Sequence, residues 1–356
     1  MHTIFLIHGM GEFSPGWSKT YQDQLLTKWC LYPGLGGKDA FSATFGFQEV
    51  TYSDSFSNLR AQWTNDRSVV TKLLSGGMSG GVNADALRAL DKLYSPLTAN
   101  TFFATNVLDV LLYGFIETVR MEIIAEVANT IAQSLSKTPS PTYSVIAHSL
   151  GTSVAHDALD VLYSMPIPYG NGLTAKLTTG DAQINTLLMI ANVSRVLEQK
   201  RPDSVNPWDV YQSVVKPGPP NTGGICFYYY NALNQFDPIP KPWPFTIDGT
   251  WPSSAVATSG ALKNLDATAV ALQDIHALEF YLDNPEVHVP FFRSLTYPGA
   301  VSDTELKLQD DTFNSTNSKN DLTAVRKYLS GLDIGATPQW VDIVKMIAAF
   351  RTAPTG

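Results

Sequence analysis

The chain has 356 residues, of which 44% are hydrophobic and only 16% charged. That charged share is well under the roughly 25% usual for globular proteins and excludes a disordered, highly solvated chain. With 24 basic against 32 acidic residues, a net charge of −8 and no run of five like charges, phosphate neutralisation has no basis and nucleic acid is not an expected partner.

The first strand is expected at Ile4 to Ile7, a continuous apolar run with glycines directly behind it, as a buried parallel strand requires. A helix follows over Tyr21 to Trp29, stopped by Tyr32-Pro33-Gly34. Phe47 to Tyr52 is a second short strand. From Leu59 to Ala104 the pattern is irregular, with Gly76-Gly77 and Gly80-Gly81 as a joint. Leu112, Ile116, Val119, Ile123, Val127 and Ile131 recur at steps of three and four and predict an amphipathic helix, ended by Pro139 and Pro141. Asp109, Glu117, Arg120, Glu122 and Glu126 make this stretch too polar to span a bilayer.

Tyr143 to Ala147 is a third strand and Leu150 to Tyr163 a helix. Ile184 to Ala191 and Ile225 to Tyr230 are two further strands, separated by the turn-rich segment 194–224. Phe236 to Pro252 holds five prolines and reads as a rigid loop. Leu278 to Leu295 is helical, broken at Asn284-Pro285. The tail from Ser302 starts polar and carries two more helices near 322–329 and 340–350. Strands alternating with helices imply an open, mostly parallel α/β sheet with right-handed crossovers.

Cys30 and Cys226 are the only cysteines, so a disulfide framework and a cysteine-based structural zinc site are excluded. No basic leader, apolar core and cleavage pattern opens the chain, so a soluble, cytoplasmic protein without an integral membrane segment is expected.

Two short motifs carry chemistry. Ala147-His148-Ser149-Leu150-Gly151 lies between a strand and a helix, the setting of a nucleophile elbow. A tight turn there lifts the Ser149 hydroxyl clear of the sheet. Residues two before and two after must be small, and Ala147 and Gly151 are. The helix starting at Leu150 aims its first N–H groups at any oxyanion beside Ser149. His8-Gly9-Met10-Gly11 follows the first strand, and its glycines let the backbone bend and present the Met10 N–H. Neither G-x-G-x-x-G nor a P-loop is present, which argues against a nucleotide site.

Together these motifs resemble the α/β-hydrolase superfamily, esterase and lipase type, over residues 1–54 and 138–300. The resemblance implies a central, mostly parallel sheet flanked by helices, and the chain order Ser, then Asp or Glu, then His. Asp237, after the strand ending at Tyr230, is the matching acid, with Asp248 and Asp266 as alternatives. Only His276 and His288 lie beyond Asp237, and His276, just before a helix, is the matching base. His8 is expected to brace the loop that carries Met10. His148 is expected to point away from the pocket and pack beneath the elbow.

The implied function is a carboxylesterase: Ser149, His276 and Asp237 form the triad, the N–H groups of Met10 and Leu150 form the oxyanion hole, and neither metal nor cofactor takes part. A small-molecule ester is the implied partner. A lipase or phospholipid acylhydrolase, and a catalytically silent binding protein of the same fold, are the alternatives. The body is expected at 1–54 and 106–300, an inserted cap at 55–105 and a C-terminal extension at 301–356. Phe102, Phe103, Trp243 and Phe245 are candidates for lining the substrate pocket; with Trp251, the last two could equally pack the proline-rich loop onto the body.

Overall fold

Alternation along the first strand sets both faces of the sheet. In β1 (His2–Ile7), Phe5 and Ile7 enter one apolar cluster and Ile4 and Leu6 the other, because successive side chains of a strand point to opposite faces. A strand apolar on both faces belongs in the middle of a sheet covered by helices on both sides. The structure, a computed structural model, has this arrangement. It describes residues 1–65, 109–110, 112–114, 117–137, 142–164, 177–195, 197, 213–218, 223–234, 237, 240, 244–246, 260–267, 276–297 and 299–316.

After β1 come α1 (Lys19–Trp29), α2 (Gly37–Thr44), β2 (Phe45–Val50), α3 (Ser53–Asn65), α4 (Glu117–Lys137), β3 (Thr142–His148) and α5 (Leu150–Ser164). Then follow β4 (Gln183–Ile190), β5 (Cys226–Leu233), β6 (Leu262–Asp266), α6 (Leu278–Asp283), α7 (Pro285–Leu295) and α8 (Asp303–Thr316). The six strands form one sheet in the order β2-β1-β3-β4-β5-β6, and every pair is parallel. Residues of α3, α4 and α5 cover one face, in the cluster with Phe5, Tyr143, Val145, Leu187 and Tyr229. Residues of α1, α2, α6 and α7 cover the other, with Ile4, Ile146, Leu188, Tyr230 and Leu265.

The expected strands at Ile4, Tyr143, Ile184 and Ile225 are all present, each within three residues of its expected ends. Four elements escape the pattern: α2, α3, β6 and α8. β6 carries only two buried apolar residues, Leu262 and Leu265, because an edge strand has one neighbour and much of it faces solvent. The stretch read as irregular from Leu59 begins inside α3. That helix is no detached insertion at its start, since Phe56 is buried in the main core and the Ser55 hydroxyl donates to Glu126 of α4 at 3.0 Å. Phe102, Phe103 and most of the segment expected as a cap lie outside the described residues.

α4 packs on α5 as a core helix, with Val119, Ile123, Val127 and Ile131 all buried. Two of the polar residues counted against a membrane span, Asp109 and Arg120, turn out to be interior. Arg120 is fully buried, and its Nε and Nη2 donate to Oδ2 of Asp157 on α5 at 2.9 and 2.6 Å. Nη1 donates to the Leu197 carbonyl at 2.9 Å, and the Tyr113 hydroxyl reaches the same Asp157 oxygen at 2.6 Å. The guanidinium holds the Asp157 carboxyl below its ordinary range, and the carboxylate holds Arg120 above its own. No helix among the described residues is long and apolar enough to cross a membrane. At the break between α6 and α7, the Asn284 side chain accepts from the Glu286 N–H at 2.9 Å, with Pro285 opening α7. α8 begins the polar tail and packs on α7, with Phe313 against Phe280. The helices expected near 322–329 and 340–350 lie outside the described residues.

Candidate active site

The strand order itself marks a place on the sheet. From β1 the chain moves outward to β2 with α1 and α2 on one face, then returns past β1 to β3 with α3 and α4 on the other. Where the direction of winding reverses, the segments leaving adjacent strand ends splay to opposite faces and leave a crevice. In this sheet that point falls at the carboxyl ends of β1 and β3, which run into His8-Gly9-Met10-Gly11 and Ser149 respectively.

Ser149 occupies the single-residue turn between β3 and α5 with φ of +53°. For a residue with a Cβ this left-handed conformation costs about 1–3 kcal/mol and persists only where surroundings enforce it. Here the Ser149 N–H donates to the Ile190 carbonyl of β4 at 2.9 Å. Its own carbonyl accepts from the Thr152 N–H at 2.9 Å and hydroxyl at 2.7 Å. The small neighbours are a steric necessity. A Cβ on Gly151 would stand 2.1 Å from the His8 carbonyl oxygen and 2.9 Å from that of Ile7, and a Cβ on Gly9 would stand 3.0 Å from the Ser149 Cβ. Gly151→Ala is therefore expected to push the end of β1 off the elbow and to lower stability by at least about 1–3 kcal/mol. A denaturant midpoint equal to that of the unaltered protein would contradict the tight contact.

Facing Ser149 is His276, which directly precedes α6. Its Nε2 lies 2.7 Å from the Ser149 Oγ and its Nδ1 lies 2.8 Å from Oδ2 of the buried Asp237. A carboxylate oxygen accepts, so Nδ1 carries the imidazole proton and Nε2 is left to take the hydroxyl proton of Ser149. The structure thus brings Ser149, Asp237 and His276 into one hydrogen-bonded chain. Leu150 opens α5, and the first N–H groups of a helix have no acceptor within it. Met10 follows Gly9, whose backbone passes directly beside Ser149. A serine hydroxyl with a proton acceptor on one side, and N–H groups from two strand ends nearby, is chemically suited to attack a carbonyl carbon and stabilise the resulting oxyanion.

His8 holds the Met10 loop. Its Nδ1–H donates to the Gly9 carbonyl at 2.7 Å, its Nε2 accepts the Tyr52 N–H at 3.3 Å, and its ring is stacked between Phe13 and Tyr52. The Tyr52 hydroxyl adds a bond to the His8 carbonyl at 2.6 Å, and buried Asp109 accepts from the Gly11 N–H at 3.1 Å. His148 differs from expectation. Rather than pointing away beneath the elbow, its ring lies 4.9 Å from that of His276, and its Nε2–H donates to the His276 carbonyl at 2.7 Å. It clips the segment carrying His276 to the elbow. His288 is buried elsewhere, with Nδ1 on the Leu282 carbonyl and Nε2 on the Tyr32 hydroxyl. Asp266 ends β6 and is exposed; Asp248, Trp243 and Trp251 lie outside the described residues. Phe245 is stacked on Tyr229 in the main core, which places it with packing of the loop onto the body.

Sequence reading missed Tyr281, whose hydroxyl donates to Asp237 Oδ2 at 2.9 Å. It also missed Ala191, which has φ of +49° at the end of β4, the strand whose Ile190 carbonyl holds Ser149. Neither has a local signal: a tyrosine and an alanine at element ends carry no motif. Among the described residues, no group of three or more His, Cys, Asp or Glu side chains is placed to hold a metal ion.

Burial holds His8 down to about 4, and His148 and His288 down to about 3. The unfolded chain binds these protons near pH 6.5, so between pH 6.5 and about 4 it takes up protons the folded protein refuses. Stability is therefore complete above pH 6.5 and falls on acidification through that window. His8 alone accounts for about 3 kcal/mol across it, at roughly 1.4 kcal/mol per unit. Urea midpoints measured from pH 7.5 to 4.5 are expected to decline steadily; a flat profile would contradict neutral burial of the three rings.

The described residues thus define an all-parallel α/β protein with a Ser–His–Asp chain at its topological switch point. No protein-family model, curated protein or solved structure matches the sequence.

Proposed function

We propose that the protein is a serine hydrolase of carboxylic esters, built on an α/β-hydrolase fold. The observation that carries this reading is the pair of contacts at His276: 2.7 Å to Ser149 Oγ and 2.8 Å to Asp237 Oδ2. They join residues in the chain order Ser, Asp, His at a strained strand-to-helix turn. In the proposed reaction Ser149 Oγ attacks the ester carbonyl as His276 Nε2 takes its proton. The negative charge on the carbonyl oxygen is met by the N–H groups of Met10 and Leu150. Collapse of the tetrahedral intermediate breaks the acyl–oxygen bond, and His276 gives its proton to the leaving alcohol. Water, deprotonated by His276, attacks the acyl-serine in turn, and release of the carboxylic acid restores Ser149. Asp237 holds the imidazole tautomer and stabilises its cationic form.

A panel of chromogenic esters of increasing acyl length, run on the unaltered protein and on Ser149→Ala, tests the reading. Turnover that depends on Ser149 supports it and reports the acyl preference. Absence of turnover and of serine labelling by an organophosphonate ester would favour a silent protein of the same fold.

A further inference from the structure

Tyr281 lies on α6, five residues beyond His276, and is fully buried. Its hydroxyl makes two bonds, donating to Oδ2 of Asp237 at 2.9 Å and accepting the Asn234 backbone N–H at 3.1 Å. Asn234 and Asp237 are the two ends of the turn after β5, closed by the Asp237 N–H on the Asn234 carbonyl at 3.0 Å. One phenol therefore grips both ends of the turn that carries the acid, from the helix that follows the base. The oxygen it binds is also the one that receives His276 Nδ1–H at 2.8 Å. Burial and the neighbouring carboxylate push the phenol well above its ordinary range, so it keeps its proton and remains the donor.

We propose that Tyr281 is a positioning residue of the site, fixing the Asp237 carboxyl through Oδ2 and setting the basicity of His276 by competing for that oxygen's charge. The inference deepens the ester-hydrolase reading and rests on it for its kinetic consequences. A donor on a carboxylate draws charge away from its other partner. With Tyr281 in place, Asp237 stabilises the His276 imidazolium less than a carboxylate without this donor would. His276 then stays deprotonated, and able to act as a base, to lower pH. Without the hydroxyl, the Asp237–His276 bond strengthens, the histidine titrates higher, and the Asn234 N–H loses an acceptor that steadies the turn.

The experiment compares the unaltered protein with Tyr281→Phe and Tyr281→3-fluorotyrosine. It records kcat and KM against pH on the best chromogenic ester and follows the His276 imidazole resonances by NMR. Tyr281→Phe is expected to raise the His276 midpoint by about half a unit. It is also expected to lower kcat about tenfold with KM unchanged, because the loss lies in orienting the base rather than in binding. Fluorotyrosine keeps the ring and hydroxyl but is the stronger donor, so its midpoint moves down. If neither variant moves the midpoint, Tyr281 only packs the helix and the proposal is overturned, whatever happens to stability. If Tyr281→Phe does not fold, the fluorotyrosine midpoint decides alone. The NMR midpoint needs no substrate, so a protein that cleaves no ester would sink the hydrolase reading without obscuring the effect of Tyr281 on His276.

Discussion

On the proposed ester-hydrolase reading, replacing Ser149 by alanine is expected to lower ester turnover by about 10⁴-fold or more, because the step that forms the acyl-serine would have no substitute group. The change should leave the fold intact. Ser149 is buried, its backbone bonds to Ile190 and Thr152 do not involve the side chain, and alanine already stands in the same left-handed region at position 191. The hydroxyl's contact with His276 Nε2 is lost, while His276 keeps Asp237 and its backbone bond to His148. Catalytic loss without a shift in denaturant midpoint is therefore the expected signature. His276→Ala should cause a comparable loss. His288→Ala should instead weaken the fold, since both its ring nitrogens serve Tyr32 and Leu282 in the opposite cluster. Retained activity in Ser149→Ala, or loss of chemistry confined to His288→Ala, would overturn the assignment of these roles.

Arg120→Met is expected to destabilise the protein by about 3–5 kcal/mol, the largest stability effect of the substitutions. Both charged groups are almost wholly removed from solvent, with side chains 2% and 3% exposed. Methionine fills much of the volume, but it takes the guanidinium away from the buried Asp157 carboxylate, which keeps the Tyr113 hydroxyl and the His156 ring as partners. It also removes the bond to the Leu197 carbonyl in the segment after β4. Because the folded protein holds Asp157 below its ordinary range, the pair stabilises the fold above the unfolded pKa near 3.9 and that contribution is lost as pH falls below it. Denaturation at pH 7 reads the full effect. The double change Arg120→Met with Asp157→Leu should recover much of the loss, since neither charge of the pair is then left buried alone. A single variant that loses under about 1 kcal/mol would show that water reaches the pair.

Much of this protein is legible by periodicity. Four of the six strands are apolar runs that follow from burial on both faces, and the α4 stripe from Val119 to Ile131 follows from the helical repeat. The small residues around Ser149 also stand out, because the demand that creates them is local: a strand and a helix within contact distance across five residues. β6 was not legible, because an edge strand needs few apolar residues. The burial of Arg120 was not legible either, since its partner Asp157 stands 37 residues away on the neighbouring helix.

By itself the sequence determined the alternating α/β plan, the elbow serine, and a short set of acids and histidines in a particular order. Only the tertiary structure decided which of them meet. Asp237 and His276 are 39 residues apart, and Ser149 and His276 are 127 apart. Nothing in local spacing records a contact made by strands laid side by side in the order β1-β3-β4-β5. The same reason hid Tyr281 and misplaced His148. A side chain's propensity is carried in its neighbours along the chain, but its hydrogen-bond partner is set by which strand ends the sheet brings together.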